Sequence, residues 1–259
     1  MGDVKVDTLS YSSIQRHGYV YEDKKYGCEW SYWLRYIKGI KPTYVDSKYG
    51  KFGQIIHDIF ANFYPSIITG NINNYPSPKN YFDVILTDLL SKKWDYTLSE
   101  TMYNEGIAIL ANFSINETNK YLASMRGEIE FMPLHIELAL DEPYNIRIDK
   151  ILPDHSFMDY KTATEMPESI QIEHILQAGI YAISYFKKFG IWSPKMVYYF
   201  VRHNKPLIVP ITQEIITITT DIANHVTDNI NKGTFTKNSD NCHWCDERHV
   251  CGLEEVRLI

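Results

Sequence analysis

No hydrophobic run in this chain approaches the roughly 20 apolar residues that cross a bilayer, so a membrane partner is not expected. The N-terminus, MGDVKVDTLSYSSIQ, carries acids and lacks the apolar stretch of a secretory signal, which makes a soluble, cytoplasmic protein the expectation. Internal repeats and low-complexity segments are missing, which excludes solenoids and disordered arrays. There is no G-x-x-x-x-G-K-[ST] loop, so the chain carries no phosphate-driven motor of its own. Cysteine is scarce, at four residues, and without a secretory signal disulfides are disfavoured. A basic excess is missing too. The formal net charge of -6 counts mildly against non-specific nucleic-acid binding, although a metal site concentrates carboxylates that bound cations offset. Locally, residues 35–51 hold Arg35, Lys38, Lys41, Lys48 and Lys51 against the single acid Asp46, a basic face or simply a solvated surface.

What is present suits a globular α/β protein. With 259 residues, 44% of them hydrophobic and 22% charged, the chain can bury a substantial core. Its 20 tyrosines read mainly as the coding bias of an AT-rich genome, with base stacking a function for a minority. Residues 8–40 look helical after a polar start, and residues 50–64 form a second helix with Phe52, Ile55, Ile56, Ile59, Phe60 and Phe63 on one side. Residues 80–126 read as two or three helices, with Leu86, Leu89, Leu90, Ile107, Ile109 and Leu110 as core candidates. After Gly127 the pattern shortens to three strands, EIEFMPLHIELAL, YNIRIDKILP and HSFMDYKT, divided by Asp-Glu-Pro and Pro-Asp turns. A helix over about 169–189, strands at 195–202 and 207–211, a helix over 213–232 and an irregular cysteine-bearing tail complete the pass. The expectation is a single domain over 1–259: N-terminal helices (1–64), a helical insertion (65–126), a central mixed sheet flanked by helices (127–212), and a helix with its tail (213–259).

The chemistry concentrates at the second and third strands. Asp149 ends one, Asp159-Tyr160-Lys161 ends the next, and Pro153-Asp154 supplies the turn that brings the two acids together. Strand alternation puts Asp159 and Lys161 on one face and Tyr160 on the other. Two hard oxygen ligands beside an ammonium suit phosphodiester hydrolysis: the carboxylates hold Mg²⁺ or Mn²⁺, and the lysine helps to orient the attacking hydroxide. Asp-x-Lys by itself is common and usually marks a solvated strand end. A histidine on an apolar helix, such as His57, is more often a satisfied core residue than a ligand. Gln177 and Tyr181, one turn apart, could be no more than a helical pair.

The ordered combination changes the balance. IRIDKILPDHSFMDYKT closely resembles the acidic hairpin of RecB-like PD-(D/E)XK nucleases. Gln177-Ala-Gly-Ile-Tyr181 matches their Gln-x-x-x-Tyr helix, and Phe52-Gly-Gln-Ile-Ile-His57 resembles the helix that carries their metal-binding histidine. The resemblance implies a restriction-endonuclease-like fold in which Asp149, Asp159, His57 and the main-chain carbonyl of Tyr160 hold the metal, with Glu137 a weaker further ligand. It implies Lys161 as the catalytic lysine, with Gln177 and Tyr181 positioning the lysine, the water or the DNA backbone. One departure is visible: Ile146 stands where the family often has glycine, a packing position without chemistry.

The cysteines, Cys28 alone and then Cys242, Cys245 and Cys251 within ten residues, look like a metal site, and an iron–sulfur cluster or structural zinc would suit thiolate ligands. One cysteine before the nuclease motifs and three after resembles the AddB and CRISPR-associated RecB-type exonucleases. That resemblance implies a 4Fe-4S cluster stapling the two ends of the fold, with zinc as the alternative. The whole resemblance implies a DNA exonuclease acting on single-stranded or free ends, with a helicase or recombination partner supplying any unwinding, in a viral, mobile-element or CRISPR-adaptation setting. Two readings compete with it: a non-catalytic nucleic-acid-binding protein of the same fold, and a zinc-stapled phosphodiesterase acting on RNA.

Overall fold

The computed structural model describes residues 8–40 and 47–251. Helix α1 (Tyr11–His17) begins at a capping box, in which Ser10 and Ser13 bond each other's main chain, and ends at Gly18. A short hairpin follows, β1 (Val20–Tyr21) and β2 (Lys24–Lys25), and then α2 (Glu29–Tyr32) with a π-helical turn at Trp33–Ile37. This corrects the expectation of helix across 8–40. Glu22 and Asp23 take positive φ between the two strands, and at Gly18 (φ 89°) and Gly27 (φ 62°) the backbones pack so closely that neither has room for a side chain.

Three long helices come next: α3 (Lys48–Thr69), α4 (Pro78–Lys93) and α5 (Glu100–Met125). They start at the serine caps Ser47, Ser77 and Ser99. α3 runs past its expected end at Tyr64 because Pro65 removes only one donor. Ile67, beyond the proline, still packs on the core, so burial outweighs the lost bond. Ile107, expected inside, is 45% exposed, because α5 turns Gly106, Ile109, Leu110 and Phe113 inward.

The sheet is mixed, in the order β3 (His135–Leu140), β4 (Ile146–Ile151), β5 (Phe157–Lys161), β6 (Lys195–Phe200), β7 (Lys205–Pro210). β3, β4 and β5 form the expected antiparallel meander. α6 (Ile172–Phe189) carries the chain across to β6, which pairs parallel to β5, and β7 returns antiparallel. α7 (Gln213–Lys232) lies against α6, so near that a Cβ on Gly179 would overlap Thr219 Oγ1.

Each face of the sheet has its own core. Phe157, Met196, Tyr198 and Phe200 pack under α1, α6 and α7, while Met158, Tyr160, Val197 and Val201 pack under α3, α4 and α5. The one-residue offset is the strand alternation. Among the described residues no helix is long and apolar enough to cross a membrane.

The basic stretch is largely engaged within the protein. Arg35 pairs with Asp246 and Glu247, and Lys51 lies 3.2 Å from Asp95. The ammonium groups of Lys38 and Lys48 lie over the Trp33 and Tyr49 rings. Lys41 and Asp46 lie outside the described residues.

Candidate active site

β4 and β5 pair at Ile151–Phe157 and at Lys150–Met158, and the ladder stops there. The next positions in that register are Asp149 and Asp159, so both acids stand where the strands part. The Asp149 carboxylate replaces the missing ladder acceptor: its Oδ2 receives the Tyr160 N–H at 2.8 Å. Side-chain alternation also slips at this point. Ile146 and Ile148 face α6 and α7, but Lys150 reaches Tyr64 in the opposite layer. On the other side of β4 the ladder skips Glu137, across from Asp149, between the pairs Ile136–Lys150 and Leu138–Ile148. Glu137 has φ 52°, a left-handed conformation unusual for this residue type inside a strand.

Asp159 points toward α6. Its Oδ1 accepts from Gln177 Nε2 at 2.9 Å, and the same nitrogen donates to Tyr181 Oη at 3.0 Å. Lys161 Nζ donates to Gln177 Oε1 at 3.3 Å and stands 2.7 Å from Asp159 Oδ2. That oxygen is buried, with the Lys161 ammonium as its charged partner. From α3, His57 Nδ1 reaches to 3.3 Å from Asp149 Oδ2, and the ring also bonds the Tyr160 backbone. Glu137 is paired with Arg147.

The electrostatics follow from burial and crowding. Burial pushes the Asp159 carboxyl above its ordinary value; Lys161 opposes this and the Asp149 charge adds to it. Burial by itself would lower the His57 imidazole, but the Asp149 hydrogen bond and charge overcome it and hold the ring above its usual range. Glu137 is raised, first by burial and then by Asp149.

One imidazole, two carboxylates and a main-chain carbonyl make a donor set for a hard divalent cation, and the chemistry of that set fits a ligand role for the buried Asp159 carboxylate. The side chains touch pairwise: among the described residues, no group of three His, Cys, Asp or Glu stands arranged to hold an ion. The sequence motifs contained no sign of Tyr11, which α1 brings close enough to Asp159, Tyr181 and Glu173 to feel their charges.

The cysteines lie apart from the acids, near Lys237 and Asn238. The Cys28 sulfur accepts from Asn238 N at 3.4 Å, the Cys242 thiol contacts Asn238 O at 3.7 Å, and Lys237 Nζ donates to the Cys251 carbonyl at 2.8 Å. Cys28 and Cys245 line one cavity of 310 Å³ beside Arg16 and Ser31. A contact that the sequence did not announce joins the same regions. Glu247, fully buried, accepts from Arg16 at 2.7 Å, from Arg35 at 2.6 Å and from Ser31 at 2.7 Å, and Asp246 binds both arginines. Two guanidiniums and a hydroxyl satisfy this buried carboxylate.

Similarity to known proteins agrees with this architecture. A solved structure from Eubacterium rectale, described as a candidate exonuclease, superposes with a TM-score of 0.51 over 95% of this chain and 88% of its own, at 13% identity. That likeness speaks for the fold alone. A second solved structure, SSO0001, reaches a TM-score of only 0.34 at 12% identity, over 78% of this chain and 94% of its own, too low to carry an argument. No curated protein matches the chain. The model of the PD-(D/E)XK nuclease superfamily matches residues 25–252, nearly the whole chain and every motif described above, and the protein belongs to that superfamily of phosphodiester hydrolases.

Proposed function

We propose that the protein is a Mg²⁺- or Mn²⁺-dependent DNA nuclease, acting as an exonuclease on single-stranded or free ends. The observation that carries this reading is the parting of β4 and β5 at Asp149 and Asp159, with Lys161 held beside Asp159 by Gln177. Asp149, Asp159, His57 and the Tyr160 carbonyl would hold the cation, with Glu137 adjoining. When bound, the cation polarises the phosphate and acidifies a water. Lys161 orients the attacking hydroxide and offsets charge on the phosphate oxygens. Gln177 sets the lysine through its Oε1 and the carboxylate through its Nε2, and Tyr181 fixes the amide by accepting from the same nitrogen. Burial of Asp159 leaves little water to compete for its oxygens.

The test is cleavage of end-labelled and circular DNA, single- and double-stranded, and of end-labelled RNA, with Mg²⁺, Mn²⁺ or EDTA. End-labelled single strands are expected to shorten only with the metals, and circles to survive. Cleavage that ignores EDTA, or that occurs on RNA alone, rejects this reading; no cleavage of any substrate favours a binding protein of the same fold. A helicase or recombination partner would supply duplex unwinding.

For Cys28, Cys242, Cys245 and Cys251 the proposal is a 4Fe-4S cluster. Its support is the pattern of one cysteine before the nuclease motifs and three after, with Cys28 and Cys242 both against Asn238 and Cys28 and Cys245 lining one cavity. Anaerobically purified protein is expected to be brown and to bleach on chelation. A colourless protein with stoichiometric zinc establishes the zinc staple instead.

A further inference from the structure

Helix α3 carries more of the site than its histidine. Tyr49, Gly53 and His57 recur at four-residue spacing, so they form one stripe along the helix. At Gly53 this stripe runs against the residue that follows Lys161: a Cβ there would lie 2.8 Å from Thr162 Oγ1. Beyond that contact opens a cavity of 560 Å³ bordered by Tyr49, Gly50, Thr162, Thr164, Glu165 and Arg202. Arg202 is already engaged, bonding the Thr162 carbonyl at 2.7 Å and pairing with Glu105, so it is a wall of the cavity rather than a free cation. Tyr49 differs from the buried aromatics of α3. It is 58% exposed, and the Lys48 ammonium stands 5.5 Å from its ring centroid.

We propose that Tyr49 is a stacking platform for a nucleobase of single-stranded nucleic acid bound across the site, with Lys48 serving the neighbouring phosphate. The inference rests on the nuclease reading and adds a subsite to it. An exposed ring stacks on any unpaired base, whereas a base inside a duplex has both faces covered by its neighbours. Glu165 on the same cavity repels a phosphate from the interior and leaves the backbone on the lysine side. The eight residues from Tyr49 to His57 span about 12 Å of helix. A stacked strand rises about 3.4 Å per nucleotide, so the platform meets a base some three or four nucleotides from the bond being cut.

The test is fluorescence anisotropy in EDTA with a labelled single-stranded 12-mer and the matching blunt duplex, using the wild type, Tyr49→Ala and Tyr49→Phe. Hydrolysis of bis-p-nitrophenyl phosphate with Mn²⁺ monitors the reacting centre. Tyr49→Ala is expected to weaken single-strand binding about tenfold, within the range for losing one base stack, while Tyr49→Phe keeps it and duplex binding stays unchanged. Turnover of the small diester should not move. Equal affinity of Tyr49→Ala and wild type for the single strand overturns the proposal, as does an equal loss on the duplex, a matching loss in Tyr49→Phe, or a wild type that binds no single strand. A wild type that binds the strand but cuts no substrate counts against the nuclease reading and leaves the stacking result standing.

Discussion

Asp159→Asn should lower cleavage by about 1,000-fold or more without unfolding the protein. A divalent cation held at the phosphate contributes several kcal/mol to the transition state, and each ~1.4 kcal/mol is a factor of ten. Asparagine keeps the shape and the Oδ1 contact with Gln177 but removes the anionic Oδ2 that pairs with Lys161. The stability effect should run the other way. Burial and Asp149 raise this carboxyl despite Lys161, so its ionised form works against folding at neutral pH, and asparagine relieves that cost. The expected pair of results is lost activity with a melting temperature equal to or above that of the wild type. Lys161→Ala should lose activity comparably, and the double variant little more than either single one, because residues acting as a unit are not additive. Activity of Asp159→Asn within tenfold of wild type would falsify the assignment.

Glu117→Gln should cost about 3–5 kcal/mol of folding stability at pH 7, the range for breaking a buried ion pair from one side. Glu117 and Lys150 are 2% and 1% exposed. Lys150 Nζ donates to Tyr64 Oη at 2.6 Å, Tyr64 donates to Glu117 Oε2 at 2.7 Å, and Lys120 lies 2.6 Å from Oε1. Burial lowers the Lys150 ammonium from 10.5 to about 8, with Glu117 resisting the fall. Burial would raise Glu117, but the Lys150 and Lys120 charges hold it below its ordinary value. Between about 8 and 10.5 the unfolded chain therefore binds more protons at Lys150 than the folded one, and stability from this group rises with pH across that window. Without Glu117 the lysine is harder to keep charged, so the deficit of the variant should be largest near pH 7 and shrink by pH 10. Urea unfolding at both values measures it. A deficit under about 1 kcal/mol at pH 7 would show that the network contributes little. Lys150 neighbours Asp149, so the network also ties down the strand end that carries the acid.

Legibility in the sequence followed the range of each interaction. The helices α3, α4, α5, α6 and α7 and the meander β3–β5 were visible, because capping residues and hydrophobic periods act over a few positions. The exceptions have local causes. The segment 8–40 folds as helix, hairpin and helix because Gly18 and Gly27 meet backbone to backbone, a contact between residues nine apart. α3 passes Pro65 because Ile67, beyond the proline, packs against the second core.

At the site, the spacing of Asp159 and Lys161 on one strand and of Gln177 and Tyr181 on one helix was enough to place each pair on a common face. The sequence by itself thus determined the element types from α3 onward, the fold class and the candidate groups of the motifs. Tertiary structure alone decided that the β4–β5 ladder ends at Asp149 and Asp159, that Glu137 adopts a left-handed conformation opposite them, and that His57 arrives from the other layer. It also decided that Arg16 and Arg35 close over a buried Glu247 more than 200 residues away, and that Lys150 turns from the meander toward Glu117. Periods of two and 3.6 residues fix which way a side chain points within an element. Which strands part, and which distant charges neutralise one another, depends on how separate elements pack, where burial makes an unpaired charge too costly to leave alone.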